Sequence, residues 1–163
     1  MAPHGGDGGA QFVAGVGGEG AQPLLAALPF AEGVLDVAWQ DELCEVQLHG
    51  GPWRVGVSHP LLPGKTAAHI ESTAGPLAIA TSGAAERGCH IVDPHTRQPA
   101  AGTLASLTVV CGSLADAGVL ATAAYARGAG AKDWLDRLPG VTAFAVTADG
   151  TTWTTHGPAL RAP

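Results

Sequence analysis

The run from Ser106 to Gly128 limits the possible folds of this chain more than any other stretch. Ser106-Leu107-Thr108-Val109-Val110-Cys111 is apolar and β-branched, which predicts a strand. Ser113 follows two residues later and offers an N-cap hydroxyl. A helix is expected from there to Arg127, with Gly128 as its C′ residue. A strand that passes directly into a capped helix implies a helix packed on a sheet.

The flanking segments extend that picture. Cys44 to Leu48 and Trp53 to Ser58 alternate in polarity across His49-Gly50-Gly51-Pro52, which predicts a hairpin with a longer loop. Pro76 to Ala80 is a short apolar run ending at a Thr81-Ser82-Gly83 turn, and His90 to Asp93 is a short segment halted by Pro94. A second helix is expected over Ala131 to Leu138, with Trp134, Leu135 and Leu138 on one face. Thr142 to Thr147 and Thr151 to Thr155 flank Ala148-Asp149-Gly150, a hairpin signal. The expected class is α+β: a mixed or antiparallel sheet with two packed helices.

Residues 1–34 are glycine-rich and are expected to be weakly ordered, which leaves 35–163 as the folded domain. Inside the first part, Gly15-Val16-Gly17-Gly18-Glu19-Gly20 satisfies GxGxxG between a possible strand (Gln11 to Ala14) and a possible helix (Leu24 to Leu28). Eight glycines in twenty residues make a chance match easy, and Pro23 stands where the first helical turn would develop. The net charge of −6 and eight scattered Lys and Arg residues exclude a nucleic-acid or anionic-membrane surface. Cys44, Cys89 and Cys111 match neither a disulfide framework nor a zinc knuckle. No basic or apolar leader opens the chain and no stretch is long enough to insert in a membrane, so a cytoplasmic protein is expected.

Thr, Ser, His and Asp cost free energy to bury without partners, so their concentration between Thr81 and Thr96 reads as part of a site. His90, Asp93 and His95 form H-x-x-D-x-H, which has the residue types of a metal site. In an extended segment, however, Asp93 and His95 share a face while His90 points elsewhere, and no further His or Cys pair completes a zinc set. The alternative is that Asp93 caps the turn and His95 is solvated.

Thr81-Ser82-Gly83, then His90-Ile91-Val92-Asp93-Pro94-His95-Thr96, resembles the motif order of the ApbE-type flavin transferases, the FAD:protein FMN transferase family. The strand at Ser106 to Cys111 and the helical Ala121-Thr122-Ala123-Ala124-Tyr125 continue the resemblance, and Trp53-Arg54-Val55-Gly56-Val57 with His59-Pro60 is similar to an upstream strand of the family. It covers roughly Trp53 to Trp153, the family's C-terminal half.

The resemblance implies an enzyme that binds FAD with Mg²⁺, splits its pyrophosphate and transfers FMN to a Thr or Ser hydroxyl of a target flavoprotein. It places His90 as general base, Thr81, Ser82, Gly83, Ile91 and Asp93 at the flavin nucleotide, and Asp116 and Thr122 nearest the metal. For His90, a core histidine hydrogen-bonded in place is the structural alternative.

Three departures accompany it. The family's metal-binding Asp, four residues before the helix Thr, is here Gly118, and the nearest acid is Asp116. A glycine that follows the motif's Thr is here Arg97, strained by about 1 kcal/mol if its φ is positive. Most of the N-terminal half has no counterpart, apart from Gly5-Gly6-Asp7 as a possible remnant. An oligomer or a partner chain supplying the missing half is therefore expected, and a catalytically inactive flavin-binding or interaction module is the alternative function.

Overall fold

In a computed structural model, the residues described are 10–14, 33–40, 43–50, 53–72, 77–83, 91–100, 102–155 and 160–161. Strands are β1 (Ala10–Ala14), β2 (Gly33–Gln40), β3 (Leu43–Gly50), β4 (Trp53–Ser58), β5 (Thr66–Ser72), β6 (Leu77–Gly83), β7 (Leu104–Cys111), β8 (Thr142–Thr147), β9 (Thr152–Thr154) and β10 (Leu160–Arg161). Helix α1 spans Leu114–Arg127, and a 3-10 turn at Gly128–Gly130 leads into the short α2 (Ala131–Leu135).

Among the described residues the strands form two sheets. The larger has the order β2-β3-β6-β7-β8-β9 and is antiparallel throughout. The smaller has the order β1-β4-β5-β10, with β1 parallel to β4 and the other pairs antiparallel. The α+β class and the mixed or antiparallel pairing are therefore as expected, in two sheets where one was anticipated.

Alternation along β6, β7 and β8 divides their side chains between two cores. Leu77, Ile79, Val110, Phe144 and Val146 pack against Val55, Val57, Ala68 and Ile70 of the smaller sheet. On the opposite face, Ala78, Ala80, Leu107, Val109, Ala143 and Ala145 pack against α1 and α2. Helix α1 contributes Ala117, Ala121, Ala124 and Tyr125, all buried. So many alanines let the helix backbone approach the sheet closely.

The helix signals read from sequence match the structure at both ends. Ser113 is extended and accepts a hydrogen bond from the backbone N–H of Asp116 at 3.4 Å. Gly128 takes φ +57, and a Cβ there would lie 2.8 Å from the Thr103 hydroxyl, so glycine is required on both counts. The β8–β9 hairpin also forms, although β9 spans only Thr152–Thr154.

Three expectations are corrected. β3 and β4 do not form a hairpin, because β3 is flanked by β2 and β6 while β4 lies in the other sheet between β1 and β5. With both edges of β3 occupied, the chain at residue 50 must leave that sheet. Thr81-Ser82-Gly83 is not a turn; it forms the last three residues of β6, paired with Thr108, Leu107 and Ser106 of β7. The second helix ends at Leu135, and Leu138 closes a tighter turn by donating to the Leu135 carbonyl at 3.0 Å. Pro139 disfavours helical geometry at Leu138 and so shortens the element. The GxGxxG motif, the helix expected over Leu24 to Leu28 and Gly5-Gly6-Asp7 lie outside the described residues.

Candidate functional site

Strand β6 splits the Thr81-Ser82-Gly83 motif between its two faces. Ser82 falls on the α1 face and is 1% exposed. Its Oγ lies 3.3 Å from Oγ1 of Thr122, forty residues further along. The fold thus joins two motifs that the sequence presents separately. Thr81 falls on the sandwich face, where its hydroxyl pairs with that of Thr108 at 2.8 Å. Gly83 also faces away from α1, and a Cβ there would come within 2.9 Å of the Ala105 carbonyl oxygen. Glycine at that position permits the close approach of β7 at its register shift between Leu104 and Ser106.

Residues 91–100 fold back on themselves. The Ala100 N–H donates to the Ile91 carbonyl at 2.7 Å, and the Asp93 N–H donates to that of Gln98 at 2.9 Å. The Asp93 carboxylate holds the turn, accepting from the His95 N–H at 2.8 Å and from the Thr96 hydroxyl at 3.1 Å. The His95 N–H, followed by the Thr96 hydroxyl, keeps this carboxyl below its usual pKa. His95 is exposed. Arg97 adopts φ +56, the left-handed conformation that a glycine would accept without strain. Ile91 is half-buried and packs against the helix-side core. His90 lies outside the described residues.

A cleft of about 380 Å³ opens between this loop and the last turn of α1, with Asp93, Thr96, Thr103, Tyr125 and Arg127 in its walls. The Tyr125 hydroxyl donates to the Leu104 carbonyl at 3.1 Å and fixes one wall. Ala126, one helical turn after Thr122, also lines the cleft, whereas Thr122 and the buried Ser82 do not. Sequence reading missed Thr103, Tyr125 and Arg127 as site residues. Arg127 carried a signal only as the end of a helix, Tyr125 only as part of the helical segment in the family resemblance, and Thr103 none.

Mg²⁺ requires octahedral oxygen ligation, usually with one or two carboxylates. Among the described residues no group of three His, Cys, Asp or Glu is placed to hold an ion. Position 118, one turn before Thr122, is a buried glycine without a donor. The helix begins at Leu114, so Asp116 lies within its first turn, exposed. Six residues of α-helix rotate by about 600°, which turns Asp116 about 120° away from Thr122. The residues present therefore do not fit a Mg²⁺ site on α1.

Comparison with known proteins bears on the fold and the family. The model of the ApbE family matches residues 41–145, more than half of the chain. The chain belongs to the ApbE family. Its fold is similar to that of an ApbE protein from Thermotoga maritima, with a TM-score of 0.56 and 27% identity over 68% of this chain and 40% of that one. The flavin transferase ApbE from Vibrio cholerae gives a TM-score of 0.56 and 25% identity over 69% of this chain and 40% of that one. The Pseudomonas stutzeri flavinyl transferase ApbE gives 0.55 and 27% over 68% and 38%. This chain thus spans about two fifths of the length of these ApbE structures. Comparison with curated protein sequences gave no match. No helix among the described residues is long and apolar enough to cross a membrane.

Proposed function

We propose that this chain binds FAD and takes part in moving its FMN moiety to a Thr or Ser hydroxyl of a target flavoprotein. The observation that carries this reading is the contact between Ser82 and Thr122, because it unites the family's strand and helix motifs one helical turn from the cleft residue Ala126. In such a transfer, the acceptor oxygen bonds to the FMN phosphorus and the bridging P–O bond breaks. AMP leaves with that electron pair, and the acceptor's proton passes to a base. His90 is the candidate base from the family resemblance. The buried Ser82 hydroxyl orients that of Thr122, which is offered to phosphate oxygens, while the Asp93 carboxylate and the packing of Ile91 hold the loop that lines the cleft. No step is assigned to Mg²⁺, since the α1 residues do not fit it.

Gly118 and the outward-facing Asp116 favour a second reading, a flavin-holding module without transfer chemistry. One experiment separates the two. The purified chain is titrated with FAD by flavin fluorescence, with and without millimolar Mg²⁺, and AMP release is then followed chromatographically in the presence of a Thr-containing flavoprotein acceptor. Saturable binding with AMP release supports transfer. Binding without release supports the holding module, and absence of binding overturns both readings.

A further inference from the structure

We propose that Arg127 meets the phosphates of the bound flavin nucleotide in this chain, supplying the positive charge that α1 does not recruit through a metal. This inference rests on the flavin-binding reading above.

The argument starts from charge. A diphosphate brings two negative charges into a cleft partly lined by apolar surface, and these require a cation or a set of donors. The metal route is closed on α1 by Gly118 and by the direction of Asp116. Among the described residues lining the cleft, Arg127 is the one cationic side chain. Asp93 is the one acid there, and both its carboxylate oxygens already accept hydrogen bonds from the loop.

Geometry adds to this. The Arg127 guanidinium carbon stands 5.2 Å from the centroid of the Trp134 ring. Stacking on an indole holds the guanidinium plane while leaving its N–H edges free to form the paired hydrogen bonds that suit a phosphate. The carbonyl end of a helix repels an anion, and a guanidinium in the last turn offsets that partial charge. Ala126 lines the same cleft beside Arg127, and Asp93, Thr96 and Gln98 of the facing loop line it as well, which gives a nucleotide a surface on both sides of the guanidinium.

The test compares FAD, FMN and riboflavin by fluorescence titration in EDTA, for the wild type and for Arg127→Ala, Arg127→Gln, Arg127→Lys and Trp134→Ala. Thermal melts by circular dichroism check that each variant is folded. The wild type should bind FAD and FMN roughly tenfold or more tightly than riboflavin, as charge-assisted hydrogen bonds require. Arg127→Ala and Arg127→Gln should remove that preference and leave riboflavin affinity unchanged. Arg127→Lys should restore part of it, and Trp134→Ala should fall between. The proposal is overturned if folded Arg127 variants bind FAD within about twofold of wild type, on the same free-energy scale. It is equally overturned if phosphate-bearing flavins bind no better than riboflavin, or if FAD binding requires Mg²⁺. Failure to bind any flavin removes this proposal together with the reading beneath it, whereas the other outcomes remove it alone.

Discussion

The two faces of the larger sheet are built from alternate residues of the same strands, yet their composition differs. Toward the smaller sheet, β6, β7 and β8 present Leu77, Ile79, Val110, Phe144 and Val146. Toward α1 they present Ala78, Ala80, Ala143 and Ala145 together with Leu107 and Val109. Bulky side chains on the first face bury a large apolar area, which is the main source of stability. Small side chains on the second bring α1 close enough for Thr122 to reach Ser82. Stability is thus concentrated on one face and site geometry on the other.

Substitutions on each face test that division. Phe144→Ala removes the largest fully buried side chain among the described residues, on the sandwich face, and should cost about 3–5 kcal/mol in chemical denaturation. FAD affinity of the fraction still folded should remain near wild type. Equal loss of stability and affinity would break the comparison. Ala121→Leu overfills the helix face and should cost about 1–3 kcal/mol. Here affinity should fall as well, since the insertion pushes α1 and Thr122 away from Ser82; retained affinity would show that the hydroxyl contact is dispensable.

Smaller effects sharpen the picture. Arg97→Gly relieves the left-handed backbone in the cleft loop and should raise stability by about 1 kcal/mol, read as a shift in denaturation midpoint. The Ser106 hydroxyl is buried on the sandwich face without a hydrogen-bond partner. Ser106→Ala should therefore be neutral or stabilising by up to about 1 kcal/mol, and a clear loss would show that the hydroxyl is used. The smallest effect concerns Asp149, whose carboxyl is held at about 2, below its ordinary 3.8, first by the Thr147 hydroxyl and then by the Thr151 N–H. A depressed pKa means that the folded hairpin favours the ionised form. Its contribution is complete above pH 3.8 and fades as pH falls through about 2. The Thr151 amide resonance should titrate with a midpoint near the folded-state value of about 2 and stay fixed in Asp149→Asn.

Local signals were legible in the sequence, and long-range ones were not. Ser113 and Gly128 mark the ends of α1 because cap chemistry depends on immediate neighbours. β7 and the β8–β9 hairpin announce themselves by β-branched runs and an Ala-Asp-Gly turn. β5 was missed because Ala67 and Ala68 are both buried, next to the register shift at Val57/Ser58, which breaks the expected alternation. The hairpin between β3 and β4 was misread because alternation identifies a strand and says nothing about its partner. The motif residues were legible as a set through the family resemblance. Their sorting was not: Ser82 joins Thr122 while Thr81 joins Thr108, and that depends on which face of β6 lies beneath the helix. The cleft was illegible for the same reason, since Thr103 and Tyr125 meet only after β7 and α1 have packed.

The chain also visits its two sheets in an uneven order. β1 belongs to the smaller sheet, β2 and β3 to the larger, β4 and β5 to the smaller again, and β10 returns there after β6 to β9 have completed the other. From β6 onward antiparallel neighbours are consecutive strands, so the connections between them are shorter than those joining β1 to β4 or β5 to β10. The smaller sheet must instead gather segments distant in sequence, which is slow because loop-closure entropy is lost before the contacts form. Assembly should therefore proceed from the half that carries Ser82, Thr122 and Arg127 toward the half that covers its back. A folding intermediate, where one accumulates, would already possess the helix-side wall of the cleft while its opposite apolar face was still open to water.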